Sequence, residues 1–161
     1  MRAAKKYYWW PVSIQEDNRT AQNYGGSLGV YYFLKNQEGF LQARFSYEHD
    51  FAQGTNWDSS SYRLFLMALY PFTSKLKGST FVDMLLQPFD NRWLGATNLT
   101  SPIALHSKRY DKIFIYGVNL TYEFYKGLEF NVHYYYVRDD SNNALYDYVR
   151  HIVGCQLGYR Y

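Results

Sequence analysis

Three groupings of residues in this chain have the chemical types that catalysis or metal binding uses. His133 stands close in sequence to Glu129 and Glu123, and an imidazole oriented by a carboxylate is what general acid–base chemistry at neutral pH requires. An isolated inward-facing histidine is more commonly a member of a structural hydrogen-bond network, so no catalytic residue is assigned there. Ser141 with Asp139, Asp140 and His151 has the residue types of a nucleophilic triad, but no nucleophile elbow surrounds the serine. The run Asp139, Asp140, Asn142, Asn143 and Asp147 offers the oxygen ligands that Ca²⁺ takes, without the ordered spacing and glycine of a calcium loop. Cys155 is the only cysteine, which excludes an intrachain disulfide, and no Cys/His spacing typical of a metal site is present. The expectation is a protein without cofactor or metal that is not an enzyme.

The elements that carry these residues explain them better. The chain has 161 residues, 21% of them aromatic, with 19 Tyr and 4 Trp; such a surplus of amphipathic rings suits a membrane–water boundary. No apolar run is long enough for a transmembrane helix. The mean hydropathy of −0.46 is compatible with spanning strands, in which apolar and polar residues alternate. The net charge of +3 is small and dispersed, so nucleic acid is not an expected partner.

Alternation is clearest at the C-terminus. Val153, Cys155, Leu157, Tyr159 and Tyr161 share one strand face, and Gly154, Gln156, Gly158 and Arg160 the other. Leu128, Phe130, Val132, Tyr134 and Tyr136 oppose Glu129, Asn131, His133 and Tyr135; Phe114, Tyr116, Val118, Leu120, Tyr122 and Phe124 oppose Gly117, Asn119, Thr121 and Glu123. Further strands are expected around residues 24–34, 41–48, 62–72 and 80–87, the third of them apolar on both faces, with a shorter one near residues 7–14. Links alternate in length: short at 35–39, 73–78 and 125–127, each ending in Gly, and long at 15–22, 51–61, 88–110 and 139–147. Tight hairpins at one end and long polar loops at the other are the pattern of outer-membrane barrels. The fold expected is therefore all-β: a single-domain antiparallel up-and-down transmembrane β-barrel of about eight strands, complete or the C-terminal part of a larger one, in the outer membrane of a Gram-negative bacterium. The first six residues carry Arg2, Lys5 and Lys6 with no apolar segment after them, so no secretory signal is visible.

The closing stretch, Asp140, Ser141 and Asn142, then Tyr146, Tyr148, Arg150 and Val153 leading into the last strand, resembles the closing hairpin of the barrels linked to periplasmic tetratricopeptide repeats, the surface lipoprotein assembly modifiers among them. The aromatic end at Tyr161 is similar to the terminal assembly signal of such barrels, which usually end in Phe. The resemblance implies delivery of protein or polymer to the cell surface, docking of the C-terminal strand on the barrel assembly machinery, and a periplasmic tetratricopeptide domain or other barrel-forming segment as partner. No repeat of tetratricopeptide length occurs in this chain.

In such a fold Arg44, Glu48, Arg63, Asp83, Glu123, Glu129, His133, Gln156 and Arg160 form an inward polar network, which in a narrow barrel packs as ion pairs and hydrogen bonds and in a wider one lines a solute path. Trp9, Trp10, Tyr122, Phe124, Tyr134, Tyr136, Tyr159 and Tyr161 are expected at the two membrane interfaces, against outer-membrane lipid. Three functions remain open at this point: a porin-like pore or translocation and assembly component; a structural or adhesive barrel with a filled interior and exposed loops; and a soluble ligand-binding barrel. The third needs an apolar interior and a polar exterior, the reverse of the last three strands.

Overall fold

The structure, a computed structural model, describes residues 2–6, 18–34, 37–92 and 108–159. Period-two alternation builds strands throughout: β1 (Arg2–Lys6), β2 (Ala21–Leu34), β3 (Gly39–Ala52), β4 (Ser59–Pro71), β5 (Leu76–Arg92), β6 (Lys108–Tyr125), β7 (Leu128–Ser141) and β8 (Tyr148–Tyr159). They form one antiparallel sheet in strict chain order, with every strand beside its sequence neighbours. A 3₁₀ turn, Thr55–Trp57, sits between β3 and β4.

Turn chemistry fixes the register at the short-link end. Gly127 takes φ 77° between β6 and β7, a left-handed conformation that costs glycine little. Gln37 takes φ 75° between β2 and β3. The Thr73 hydroxyl accepts from the amides of Lys75 and Leu76 at 3.2 and 3.0 Å, closing the link from β4 to β5.

Because the side-chain period is two, one register decides both faces of the whole sheet. Leu28, Phe45, Leu64, Met84 and Phe114 follow one another across β2 to β6 on the outward face. Gly29, Arg44, Phe65, Asp83, Ile115, Val137 and Arg150 cross from β2 to β8 on the other. Along β6 the outward residues from Phe114 to Phe124 are exposed, and those between them, from Ile115 to Glu123, are buried or half-buried. The sheet curls toward that second face: Phe81 of β5 reaches over β6 to Tyr135 of β7, with ring centroids 5.7 Å apart. At the long-loop end, Trp57 meets Tyr146 from the hairpin between β7 and β8.

Among the described residues, Ala21, Pro71 and Phe89 are the only buried apolar side chains, so the sheet has no conventional apolar core. Nor is it closed. β8 has a ladder partner on one side, and β1 covers β2 only over Ala21 to Gly25.

The first described strand is Arg2–Lys6, and the one expected near residues 7–14 lies outside the described residues. One expectation is corrected. The long loops are shorter than their polar composition suggested. β5 runs through Pro88 to Arg92, β6 begins at Lys108, and β7 continues through Asp139 to Ser141. Charged residues there stay in the ladder because their inward positions are matched by ion pairs and hydrogen bonds. The apolar stretch 94–105 lies outside the described residues.

Candidate functional site: the concave face

The inward register gathers the expected polar residues on one surface. Arg44 and Glu48 on β3, Arg63 on β4, Asp83 on β5, Glu123 on β6, Glu129 and His133 on β7, and Gln156 on β8 all occupy inward positions. Arg160 lies outside the described residues. Local pairings join some of them and their neighbours. Arg63 grips Asp83 with both arms of its fork, Nε donating to Oδ1 at 2.7 Å and a terminal nitrogen to Oδ2. Asn131 donates to Asn119 at 2.6 Å and to Thr121 at 2.9 Å.

His133 is held by neighbours other than a catalytic carboxylate. Its ring stacks on Tyr135 at 5.0 Å and 19°, its Nδ1 lies 3.4 Å from the Asn131 side-chain oxygen, and it sits against Gly154, where a β-carbon would collide with it. The candidate triad is likewise not assembled. The Ser141 hydroxyl donates to Asp111 at 2.6 Å on the concave face, whereas His151 is paired with the Tyr134 hydroxyl at 2.9 Å on the opposite face. Among the described residues no group of three or more His, Cys, Asp or Glu side chains is placed to hold a metal.

The concave face also carries a row of rings that the polar reading of the sequence did not register. The Arg44 guanidinium lies over Phe65 at 5.2 Å; Phe65 stacks on Phe81 at 5.8 Å; Phe81 meets Tyr135, and Tyr135 meets His133. The row runs around the sheet, across the strands, at mid-height. Beside it toward the long-loop end lies a polar cavity of about 450 Å³ lined by Gly25, Ser27, Arg44, Ser46, Glu48, Ser61 and Arg63 among others. The signal for the ring row was present in the sequence, since Phe65, Phe81 and Tyr135 hold inward positions of their alternating segments.

A second cluster closes the long-loop end. Arg109 and Asp111 of β6 pair side by side, with Nε to Oδ1 at 3.0 Å, both buried. The Arg109 guanidinium lies 3.4 Å from the Tyr146 ring centre and 4.4 Å from that of Phe89, and Arg19 lies 3.7 Å over Trp57. Fully buried Asn56, Ser59 and Asn143 complete it. Charged Arg138 and Asp140 replace the outward apolar residues at this height, which places the cluster beyond the apolar band. Burial, and next the nearby Asp111 charge, push the Asp139 carboxyl up to about 6, against the opposing pull of Arg109.

Of the aromatics expected at the interfaces, Tyr122, Phe124 and Tyr159 lie on the outward face near the short-link end, whereas Tyr134 and Tyr136 lie on that face near the middle of β7; Trp9, Trp10 and Tyr161 lie outside the described residues. Leu28, Val30, Tyr32, Phe45, Leu66, Leu120, Val153 and Leu157 are exposed there too. Among the described residues no helix is long and apolar enough to cross a membrane, which does not bear on crossing by strands.

Comparison of the chain with known protein families, curated proteins and solved structures found no match in any of the three.

Proposed function

We propose that this chain forms wall strands of an outer-membrane β-barrel acting as a pore or as a translocation and assembly component, for solute passage or delivery to the cell surface. One observation carries this reading: an apolar outward face continuous over seven strands backs a largely polar concave face, with almost nothing apolar buried between layers. In water, exposed apolar area of this extent would drive association; in a bilayer it is solvated by lipid. Among the described residues the edge of β2 beyond Gly25 and the outer edge of β8 have no ladder partner, which fits the same reading, because backbone groups in lipid need partners within a closed barrel. The wall is then completed either by closure of these edges on each other or by further strands, the arrangement that a larger barrel of the tetratricopeptide-linked kind would supply.

The ring row favours a second reading, a filled structural or adhesive barrel, since rings projecting inward at mid-height narrow an interior. Heat-modifiable gel mobility after refolding in detergent or outer-membrane-like lipid tests the barrel. A fast unboiled band that shifts on boiling, together with β-rich circular dichroism, supports closure by this chain. Good folding in plain buffer overturns the membrane reading. Single-channel conductance in planar bilayers then separates a pore from a filled scaffold.

A further inference from the structure

We propose that the concave cavity at Arg44 binds a small hydroxylated solute carrying a carboxylate or phosphate, with Arg44 gripping the anionic group; the proposal rests on the barrel reading, which makes the concave face an interior.

The charges around the cavity are unequally matched. Arg63 is neutralised by its two-armed contact with Asp83. Glu48 accepts from Asn23 at 3.4 Å, and Asn23 also donates to Asp50 at 2.8 Å. Arg44 has no such partner: its Nε is buried without any hydrogen bond, and its guanidinium rests on the face of Phe65. A buried donor without an acceptor is costly, and a guanidinium whose charge is matched only by a ring keeps N–H groups available for a planar acceptor. Acceptors of that shape are carboxylate and phosphate oxygens, which a guanidinium fork meets two at a time.

The surroundings select for size and for a hydroxylated body. On β2 the strand opposite Arg44 and Glu48 carries Gly29 and Gly25. At Gly25 a β-carbon would fall 2.6 Å from the Tyr47 carbonyl oxygen and 2.7 Å from the Glu48 side chain. The bare backbone of Gly25 thus lets the Glu48 side chain pack against it, and Gly29 adds no side chain beside Arg44. Ser27, Ser46 and Ser61 add three hydroxyls to its lining, and the Glu48 carboxylate can accept from solute hydroxyls. The cavity, about 450 Å³, falls in the range of small-molecule sites. An uncharged sugar would leave Arg44 unmatched, and a simple inorganic anion would leave the hydroxyls unused.

The test uses the full chain folded in detergent, with folding read by heat-modifiable mobility and circular dichroism, and binding read by isothermal titration with D-glucuronate, inorganic phosphate and D-glucose. Saturable binding of glucuronate or phosphate is expected, with glucose at least about tenfold weaker, the size of effect a lost charged hydrogen bond produces. Preference for glucuronate supports a hydroxylated, carboxylate-bearing solute, whereas tighter binding of inorganic phosphate would show that the hydroxyl lining adds nothing and overturns the hydroxylated body. Arg44→Gln should weaken the preferred anion by about tenfold or more, and Arg44→Lys, which keeps the charge but loses the fork, should fall between. Equal binding by Arg44→Gln, equal binding of glucose, or a folded chain that binds neither anion overturns the site. A chain that gives no folded band fails earlier, at the barrel reading, and the site falls with it.

Discussion

Phe81 on β5 packs over its cross-strand partner Gly117 on β6 and reaches Tyr135 on β7, with ring centroids 5.7 Å apart. A β-carbon at position 117 would collide with that ring. Gly117→Ala is therefore expected to lower stability by roughly 1–3 kcal/mol, the cost of overpacking a filled position. Urea unfolding in detergent, followed by tyrosine fluorescence, measures it. If the collision is the cause, Phe81→Leu in the same chain restores part of the loss, whereas a purely conformational effect of losing glycine would be unchanged by it.

Arg63 and Asp83 offer a second test, because their exposures differ. The Asp83 side chain is 7% exposed and that of Arg63 is 48%. Asp83→Asn leaves the guanidinium without its charged partner but lets it turn to water, so a cost of about 1–3 kcal/mol is expected, in the range for an unsatisfied group and below that for a fully buried pair. Arg63→Gln should cost more than Asp83→Asn, since it strands a buried carboxylate. Unfolding midpoints of the two single variants and the double variant give the ordering and the coupling; equal costs would argue against the assigned burial.

Asp139 predicts a pH dependence with a definite sign. Its carboxyl is raised to about 6 in the fold, against about 3.9 in an unfolded chain, so folding takes up a proton between those values. The contribution is present below about 3.9 and is lost as pH rises toward 6, where burial of the charged form beside Asp111 opposes folding. Asp139→Asn removes this loss. The variant's stability relative to the parent should therefore increase from pH 4 to pH 7, as urea titrations at the two pH values would show. A constant difference would place Asp139 in a more hydrated setting.

The sequence disclosed the strands and their faces because period two is a property of the chain itself. The alternation from Phe114 to Phe124 and from Leu128 to Tyr136 is read directly, and it assigns Glu123 and His133 to the same face without any tertiary information. Strand ends were not legible. Asp139, Ser141, Arg109 and Asp111 have loop-forming chemistry, and only the facing partners on β6 and β7 hold them in the ladder. Parity carried a hint, since Arg109 and Asp111 continue the inward positions of Ile113 and Ile115. Two features needed three dimensions. The reach from Phe81 to Tyr135 depends on the curl of the sheet, and the bareness of the β2 backbone opposite Arg44 depends on register.

The outward face provides the sharpest discrimination between a bilayer and water as its solvent. Leu66 lies midway along β4 on that face and is 42% exposed, while Ser79 on β5 points to the concave side, opposite Leu69 and Asn119. Arginine at the midplane of a lipid-facing strand costs about 2–4 kcal/mol; at an ordinary water-exposed position a substitution changes stability by no more than about 0.5 kcal/mol. Leu66→Arg in vesicle-refolded protein is thus expected to lower unfolding free energy by the larger amount, with Ser79→Arg nearer the smaller one because its guanidinium extends into the interior. The reverse ordering would mean that water lies on the outward side and lipid on neither, and a soluble ligand-binding sheet would then be the reading that survives.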